Sequence, residues 1–135
     1  MFSYYNEPRV IRNFITRGEC EYLLNPENGI YNDSIIGLGG ALNKKIRNSK
    51  NVIFHDVNHQ IIKDIRNRIS KLTRTPLCKI ELLQVSKYET GGFYTPHFDS
   101  AIPRPHRPHT LLIYLNDDYE GGETYFPKLK KKYKL

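Results

Sequence analysis

The stretch FYTPHFDSAIPRPHRPHTLLIYLND, residues 93–117, decides the fold. Two runs within it, 93–99 and 109–116, have the aromatic and aliphatic composition of β-strands. The proline-rich loop between them cannot donate ladder hydrogen bonds, so it separates the two strands. Upstream, residues 77–89 predict a further strand, buried on both sides and closed by Thr-Gly-Gly, and TYF at 124–126 predicts a last short strand after a Gly-Gly turn. The second half of the chain is therefore expected to be antiparallel β structure.

The first half carries helix signals. RVIRNF, residues 9–14, predicts a short strand, and Thr16 and Glu19 then have the spacing of a capping box, which predicts a helix start. Asp56 is expected to cap a second helix, which TRTP at 73–76 ends. The apolar stripe of this helix consists of Val57, Ile61, Ile62, Ile65, Ile69 and Leu72. This order predicts an α+β fold, or a β-barrel with helices packed on one side.

Length and composition fit one soluble globular domain. The chain has 135 residues, of which 39% are hydrophobic, and no apolar run approaches the roughly 20 residues of a membrane helix. No basic and then apolar leader opens the sequence. Cys20 and Cys78 lie 58 positions apart and are expected to be reduced. We therefore expect a cytoplasmic protein without a membrane partner.

The positive charge is concentrated at the end of the sequence. The net charge is +7, and five of these charges are lysines within residues 128–135, which leaves +2 for the other 127 residues. A lysine run of this kind is typical of a solvated or frayed basic tail. The domain itself has no basic face, so nucleic acid is not an expected partner.

His97 and Asp99 are the strongest candidates for a metal site. Residues at i and i+2 of a strand point to the same face, so the imidazole and the carboxylate are expected to project together, with Tyr94 on the opposite face. Such a pair supplies two legs of the 2-His-1-carboxylate triad of non-haem Fe(II) oxygenases, which leaves three positions open for a co-substrate and O2. The simpler alternative is a surface histidine beside an aspartate.

The residues around this pair match a known family in order. The matching features are Glu81 and Gln84, Tyr88 before Gly91-Gly92, Tyr94, His97-Phe98-Asp99, Tyr114-Leu115-Asn116, Gly121-Gly122-Glu123-Thr124 and Phe126-Pro127. With them, residues 80–129 resemble the prolyl 4-hydroxylase-like family of 2-oxoglutarate- and Fe(II)-dependent dioxygenases. A looser resemblance reaches the start of the chain, through RVIRNFITRGECEYLL and the Arg-x-Ser segment in NKKIRNS.

The resemblance implies a fold and a set of roles. The fold would be a double-stranded β-helix, or jelly-roll, of eight core strands, with the N-terminal helices supporting one sheet. His97 and Asp99 would be the catalytic iron ligands, Tyr88 would lie beside 2-oxoglutarate, and Tyr114 would bind its distal carboxylate. Thr124 would line the same pocket, and ascorbate would keep the iron reduced. Otherwise, both tyrosines are ordinary core residues.

The family pattern is expected to be incomplete in these residues. The family's second iron histidine and its Lys or Arg clamp for 2-oxoglutarate lie on late strands, and no histidine follows His109 here. By strand parity His109 should face away from the iron, with Thr110, Leu112 and Tyr114 inward, and His106 lies in the proline-rich loop. We therefore expect residues 1–135 to be a single, C-terminally partial dioxygenase domain.

Two other metal sites are conceivable. His55 and His59 have the i, i+4 spacing of a zinc protease motif, but Asp56 stands where the catalytic Glu would be and is better explained as a helix cap. His106 and His109 could contribute to a structural zinc site, although no cysteine pair assists them. Neither alternative explains the residues flanking His97.

The resemblance implies an oxidoreductase like procollagen-proline 4-dioxygenase, which hydroxylates peptidyl proline. With two iron ligands and half a co-substrate site, the 135 residues alone are expected to be inactive. A function from another class is a truncated or degenerate, non-catalytic binding module, and a third possibility is that these residues are part of a longer enzyme. An exposed sheet edge could pair with a partner strand.

Overall fold

A computed structural model of the chain describes residues 7–36, 41–100 and 107–134. The described part contains the helices α1 (Arg17–Leu24) and α2 (Gln60–Thr73) and the single 3-10 turns Pro26–Asn28 and Leu77–Lys79. Its strands are β1 (Asn32–Asp33), β2 (Arg47–Asn48), β3 (Lys50–Ile53), β4 (Gln84–Lys87), β5 (Phe93–Tyr94), β6 (Thr124–Phe126) and β7 (Lys131–Tyr133). Helices and antiparallel strands therefore coexist, which confirms the α+β class.

Helix α1 begins with the predicted capping box. The Thr16 hydroxyl accepts the Glu19 N–H at 3.2 Å, and the Glu19 carboxylate accepts the Thr16 N–H at 2.7 Å. Glu19 is buried and also forms an ion pair with Arg68 of α2, so the cap ties the two helices together. Burial by itself raises the pKa of Glu19, but the hydrogen bonds from Arg68 and Thr16 and the charge of Arg68 outweigh it, and the pKa lies below its usual value.

Helix α2 carries the predicted apolar stripe but starts later than expected. Its buried residues include Ile62, Ile65 and Ile69. The expected cap, Asp56, instead accepts the N–H groups of Asn58 and His59 at 3.0 and 3.2 Å, in the turn that precedes the helix. The N-cap is His59, which makes no side-chain cap bond. The Asp56 prediction was wrong because the carboxylate closes its own local turn rather than the first helical turn.

The core lies between both helices and one sheet. Strands β1, β3 and β4 form an antiparallel sheet in that order, with Val52 opposite Val85. The buried core residues are Leu23 of α1, Ile62, Ile65 and Ile69 of α2, and Val52, Phe54 and Val85 from the sheet and its margin. Leu111 and Leu115 from the second half of the chain pack against this core and close it from that side.

Most predicted strands in the second half are shorter in the structure. Of residues 77–89 only Gln84–Lys87 is a strand, and within it only Val85 is buried, so the prediction of burial on both sides was wrong. Of residues 93–99 only Phe93–Tyr94 is a strand, and residues 9–14 and 109–116 contain none. These segments have strand-like side chains, but a strand exists only where a neighbouring backbone accepts and donates its hydrogen bonds.

The parity expected for residues 109–116 is also wrong. Leu111 and Leu115 pack on the core, whereas Leu112, expected to face inward, is 59% exposed. Tyr114 is half-buried and His109 is exposed. Without a ladder the segment need not alternate as a strand does, so strand parity does not position its side chains.

The lysine-rich segment is ordered by backbone pairing. Strand β7 pairs antiparallel with β6, with Thr124 opposite Tyr133, so the expectation of a frayed tail was wrong for Lys131–Tyr133. The lysine side chains remain exposed to solvent, as expected. Gly121 and Gly122, in the predicted turn, have φ of 70° and 69°, a conformation that favours glycine.

The fold leaves much apolar surface in contact with water. Large exposed side chains include Ile30, Leu42, Phe98 and Leu112. None of the helices in the described ranges is long and apolar enough to cross a membrane.

Ile65→Ala should destabilise the chain by about 2–5 kcal/mol, because Ile65 is fully buried between α2 and the sheet and truncation leaves a cavity. Ile30→Ala is the matched control, since Ile30 is 80% exposed, and should change stability by less than about 0.5 kcal/mol. Urea unfolding followed by circular dichroism measures both. Equal effects of the two substitutions would contradict this position of the core.

Glu19→Gln should lower stability at neutral pH and make it less dependent on acid. Because the folded-state pKa of Glu19 is depressed, its contribution is present above the unfolded pKa of about 4.3 and is lost as pH falls through the folded pKa. The difference from the unmodified chain should therefore shrink between pH 7 and pH 3, measured by urea midpoints. Glu21→Gln, at an exposed ion pair with Arg17, should produce no such pH-dependent difference.

Candidate metal centre

Strand β5 brings the His97–Asp99 segment to the rest of the molecule. It pairs antiparallel with β2, with Tyr94 opposite Arg47 and Phe93 opposite Asn48. The Thr95 N–H extends the contact by donating to the Ile46 carbonyl at 2.9 Å. The candidate ligands therefore follow directly after a short, anchored strand, and their own backbone is not part of a ladder.

The Gly-Gly turn before β5 permits this pairing. Gly91 has φ of 80°, in the region that favours glycine. A Cβ on Gly92 would lie 2.8 Å from the Glu89 carbonyl oxygen and 2.9 Å from the Asn48 carbonyl oxygen, closer than real contacts allow. The turn therefore requires glycine at both positions, for conformation at the first and for space at the second.

The ring of His97 is held by two contacts. Its Nδ1 lies 2.8 Å from the Thr95 carbonyl oxygen, which can only accept, so Nδ1 carries the proton and donates. The ring also stacks on Tyr94, with centroids 3.6 Å apart and planes 18° from parallel. In the neutral imidazole this leaves the Nε2 lone pair available to a metal ion.

Asp99 lies next to that free nitrogen. Its Oδ1 is 3.4 Å from His97 Nε2, and the two side chains are 50% and 38% exposed, so both remain accessible. Two lone-pair donors at this distance repel each other unless a proton on Nε2 or a metal cation lies between them. Ligand atoms that each lie about 2.1 Å from one metal ion, at an angle of about 90–110°, are about 3.0–3.4 Å apart. The pair therefore fits a shared divalent cation.

The remaining histidines do not complete a cluster in the described part of the chain. Across residues 7–36, 41–100 and 107–134, no three His, Cys, Asp or Glu side chains are grouped to hold a metal ion. His106 lies outside the described residues, and His109 is exposed. His59 stacks on Tyr22 at 4.4 Å, which is a packing role.

Two of the predicted co-substrate residues meet. The Tyr114 hydroxyl is 2.6 Å from the Thr124 hydroxyl and donates to the Tyr133 carbonyl at 3.3 Å, so Thr124 donates to Tyr114. The Tyr114 hydroxyl is thus held by one residue of β6 and one residue of β7. Tyr88 follows β4 directly and is 47% exposed.

Sequence reasoning placed Tyr94 incorrectly and gave no role to two arginines. Tyr94 was expected to face away from His97, but the regular strand ends at Tyr94 and the alternation no longer holds beyond it. Arg47 lies over the Tyr94 ring, with Cζ 4.7 Å from the centroid. The Arg-x-Ser motif that includes Arg47 was the only sequence signal for this contact.

Arg107 belongs to the surroundings of the pair and is not a free surface residue. It donates two hydrogen bonds to the Glu81 carboxylate, at 2.5 and 2.6 Å. These bonds raise the pKa of Arg107, and the charges of Glu81 and Asp99 raise it further. Arg107 is therefore held in an ion pair with Glu81, within electrostatic reach of Asp99.

Comparison with known proteins identifies the class. Residues 83–134, which contain the pair, match the sequence profile of the 2OG-Fe(II) oxygenase superfamily. This part of the chain is therefore similar in sequence to 2OG-Fe(II) oxygenases.

More particularly, the chain resembles prolyl 4-hydroxylases over nine tenths of its length. It is 36% identical to probable prolyl 4-hydroxylase 8 of Arabidopsis thaliana, over 92% of this chain and 47% of the relative. It is 35% identical to prolyl 4-hydroxylase 1 of the same plant, over 89% and 47%. It is 33% identical to a putative prolyl 4-hydroxylase of Acanthamoeba polyphaga mimivirus, over 96% and 57%.

These matches confirm the predicted resemblance. The chain spans about half the length of the curated relatives it matches. No solved structure matches it significantly.

Gly92→Ala should destabilise the chain by about 1–3 kcal/mol, because the added methyl group displaces the Glu89 and Asn48 carbonyls and separates β5 from β2. Thermal unfolding measures the loss, and the ring signals of His97 in NMR spectra should shift with it. Gly18→Ala is the control, since a Cβ there meets nothing within 4 Å and alanine favours the helix. Equal stability of the two variants would contradict the proposed close approach.

Proposed function

We propose that this chain is part of a 2-oxoglutarate- and Fe(II)-dependent dioxygenase that hydroxylates peptidyl proline. The observation that carries the proposal is the proximity of His97 Nε2 and Asp99 Oδ1, at 3.4 Å, with Nδ1 engaged by Thr95. The superfamily match over residues 83–134 supports both Fe(II) and 2-oxoglutarate.

The chain's own residues would hold the iron in a defined way. An imidazole nitrogen and a carboxylate oxygen are donors that suit Fe(II), and two such ligands leave open positions for other groups. Thr95 fixes the tautomer of His97, and the charge of Asp99 acts on Arg107, which Glu81 holds in place. When bound, Fe(II) and 2-oxoglutarate supply the oxidising chemistry that amino-acid side chains lack.

Tyr114 and Thr124 are proposed to bind 2-oxoglutarate, with Tyr88 beside it. In the structure the Thr124 hydroxyl donates to Tyr114, whose own proton goes to the Tyr133 carbonyl. That weak 3.3 Å bond can be exchanged for a charge-assisted one to a carboxylate, which is stronger. Ascorbate is proposed as the reductant that keeps the iron divalent, on the resemblance alone.

The superfamily match also supports a double-stranded β-helix as the complete fold. The small antiparallel sheets β1–β3–β4, β2–β5 and β6–β7 would be parts of its two sheets, with α1 and α2 packed on one of them. In the described residues β6 and β7 pair only with each other, so each has an open edge. Such an edge can accept a further strand, from the same fold or from a partner.

Peptidyl proline is proposed as the substrate because the matched relatives are named prolyl 4-hydroxylases. Several aromatic side chains near the pair are exposed, including Phe93, Phe98 and Tyr88. Exposed aromatic rings are typical of surfaces that bind proline-rich peptides. The free thiols of Cys20 and Cys78 favour a reducing compartment such as the cytoplasm.

Fe(II) binding should depend on His97 and Asp99. Anaerobic calorimetry with Fe(II) and 2-oxoglutarate should give weak binding that falls at least about tenfold in His97→Ala and in Asp99→Ala, a loss of about 1.4 kcal/mol or more. His109→Ala, at an exposed histidine outside the pair, is the matched control and should bind as the unmodified chain does. A loss in His109→Ala equal to that in His97→Ala would show that the site is elsewhere.

Succinate release with a proline-rich peptide should be undetectable from residues 1–135, because the second iron histidine and the 2-oxoglutarate clamp are expected to be missing. Fe(II) binding through His97 without succinate release is therefore the expected result for these residues. Release that requires the peptide and disappears in His97→Ala would overturn that expectation and show that the chain is an active hydroxylase.

A further inference from the structure

We propose that Arg47 is a positioning residue for the metal pair, which acts through the ring of Tyr94 to orient His97. The inference rests on the proposed metal role of His97 and Asp99, but it concerns contacts that exist without metal. Arg47 lies on β2, directly opposite Tyr94 of β5, the strand that precedes the pair.

The guanidinium of Arg47 is fixed by hydroxyl groups. Its Nε donates to the Ser49 hydroxyl at 2.9 Å, and its Nη2 donates to the Ser86 hydroxyl of β4 at 3.1 Å. Ser49 in turn donates to the hydroxyl of Ser34 at 2.9 Å, and Ser34 is only 1% exposed. The planar guanidinium is therefore held in one orientation by groups that reach into the buried interior.

The fixed guanidinium holds the ring of Tyr94. Arg47 and Tyr94 are directly opposite each other in the β2–β5 register, and the Arg47 Cζ lies 4.7 Å from the centroid of the ring. A cation over the face of a tyrosine ring attracts it, which restricts the rotamers of Tyr94. Tyr94 is half-buried, so part of this contact is sheltered from water.

The ring of Tyr94 then orients His97. His97 lies beyond the end of β5, so no backbone ladder supports it, and its side chain is 38% exposed. The hydrogen bond from Nδ1 to Thr95 by itself leaves the ring free to rotate about that bond. The stack on Tyr94 at 3.6 Å restricts this swing and keeps Nε2 directed at Asp99.

Electrostatics alone predicts the opposite effect of losing Arg47. A positive charge near a cation site opposes metal binding, so its removal should tighten binding if charge were the only contribution. A positioning role predicts weaker binding, because His97 loses its orientation. The sign of the change in Fe(II) affinity when Arg47 is replaced therefore distinguishes a purely electrostatic effect from a positioning role.

Arg47→Gln removes the cation, but glutamine can still hydrogen-bond the serines. Lys45→Gln is the charge-matched control, on an exposed side chain of the turn that precedes β2. In the metal-free chain, at alkaline pH where imidazoles are neutral, the ring protons of His97 should show an upfield NMR shift from the Tyr94 ring. This shift should be largely lost in Arg47→Gln and kept in Lys45→Gln. Anaerobic Fe(II) titration should show affinity about tenfold lower in Arg47→Gln only.

Tyr94→Leu is the second variant, because it removes the ring while Arg47 keeps its serine partners. It should reproduce the loss of Fe(II) affinity and of the ring-current shift. Arg47→Lys, which keeps a cation at position 47, should retain more of the affinity and of the shift than Arg47→Gln does. Unchanged His97 shifts in Arg47→Gln, or tighter Fe(II) binding, would overturn the proposal. If the unmodified chain binds no Fe(II) through His97, the proposed function fails, while the metal-free NMR shifts still decide the role of Arg47.

Discussion

The pairing of two residues of β2 with two residues of β5 is the constraint on which the candidate site depends. Arg47 and Asn48 lie opposite Tyr94 and Phe93, and this short ladder joins the His97–Asp99 segment to the body of the fold. Through Ser49, β2 continues into β3, whose Val52 is part of the buried core. The pair is thus connected to the core sheet through a very small number of backbone hydrogen bonds.

This arrangement explains why side-chain contacts matter so much around the pair. Four residues of ladder cannot orient two half-exposed side chains that lie three and five residues beyond Tyr94. The orientation instead comes from a hydrogen bond to the Thr95 carbonyl and a ring stack on Tyr94, with Arg107 placed near Asp99. Each contact is weak in water, and together they present two lone pairs to one point in space.

Sequence reasoning succeeded where the interaction is local. The capping box of Thr16 and Glu19 and the apolar stripe of α2 both involve residues three or four positions apart, so the sequence contains both partners. The positive φ at Gly121 and Gly122 is local in the same sense. The approach of His97 to Asp99 was also predicted, from the alternation of side chains along a strand. In the structure the two residues lie just beyond the end of β5, so this alternation is not what brings them together.

Sequence reasoning failed where the structure of a segment depends on a partner that is distant in sequence. Residues 109–116 have the composition of a strand but form no ladder in the structure. The lysine-rich segment around Lys132, expected to be a solvated or frayed tail, has solvated side chains but pairs with β6. The contacts of Arg47 with Tyr94 and of Arg107 with Glu81 join residues that are 47 and 26 positions apart. No period or spacing in the sequence encodes such pairs.

The sequence by itself determined the helices, the glycine turns, the candidate metal pair and the resemblance to prolyl 4-hydroxylases. All of these depend on residue identity and short spacing, which are visible along the chain. Only the tertiary structure decided which segments become strands, how Tyr94 and Arg47 are placed, and which nitrogen of His97 is free. These depend on hydrogen bonds and ring contacts between distant residues, whose energy exists only after the backbone has brought them together.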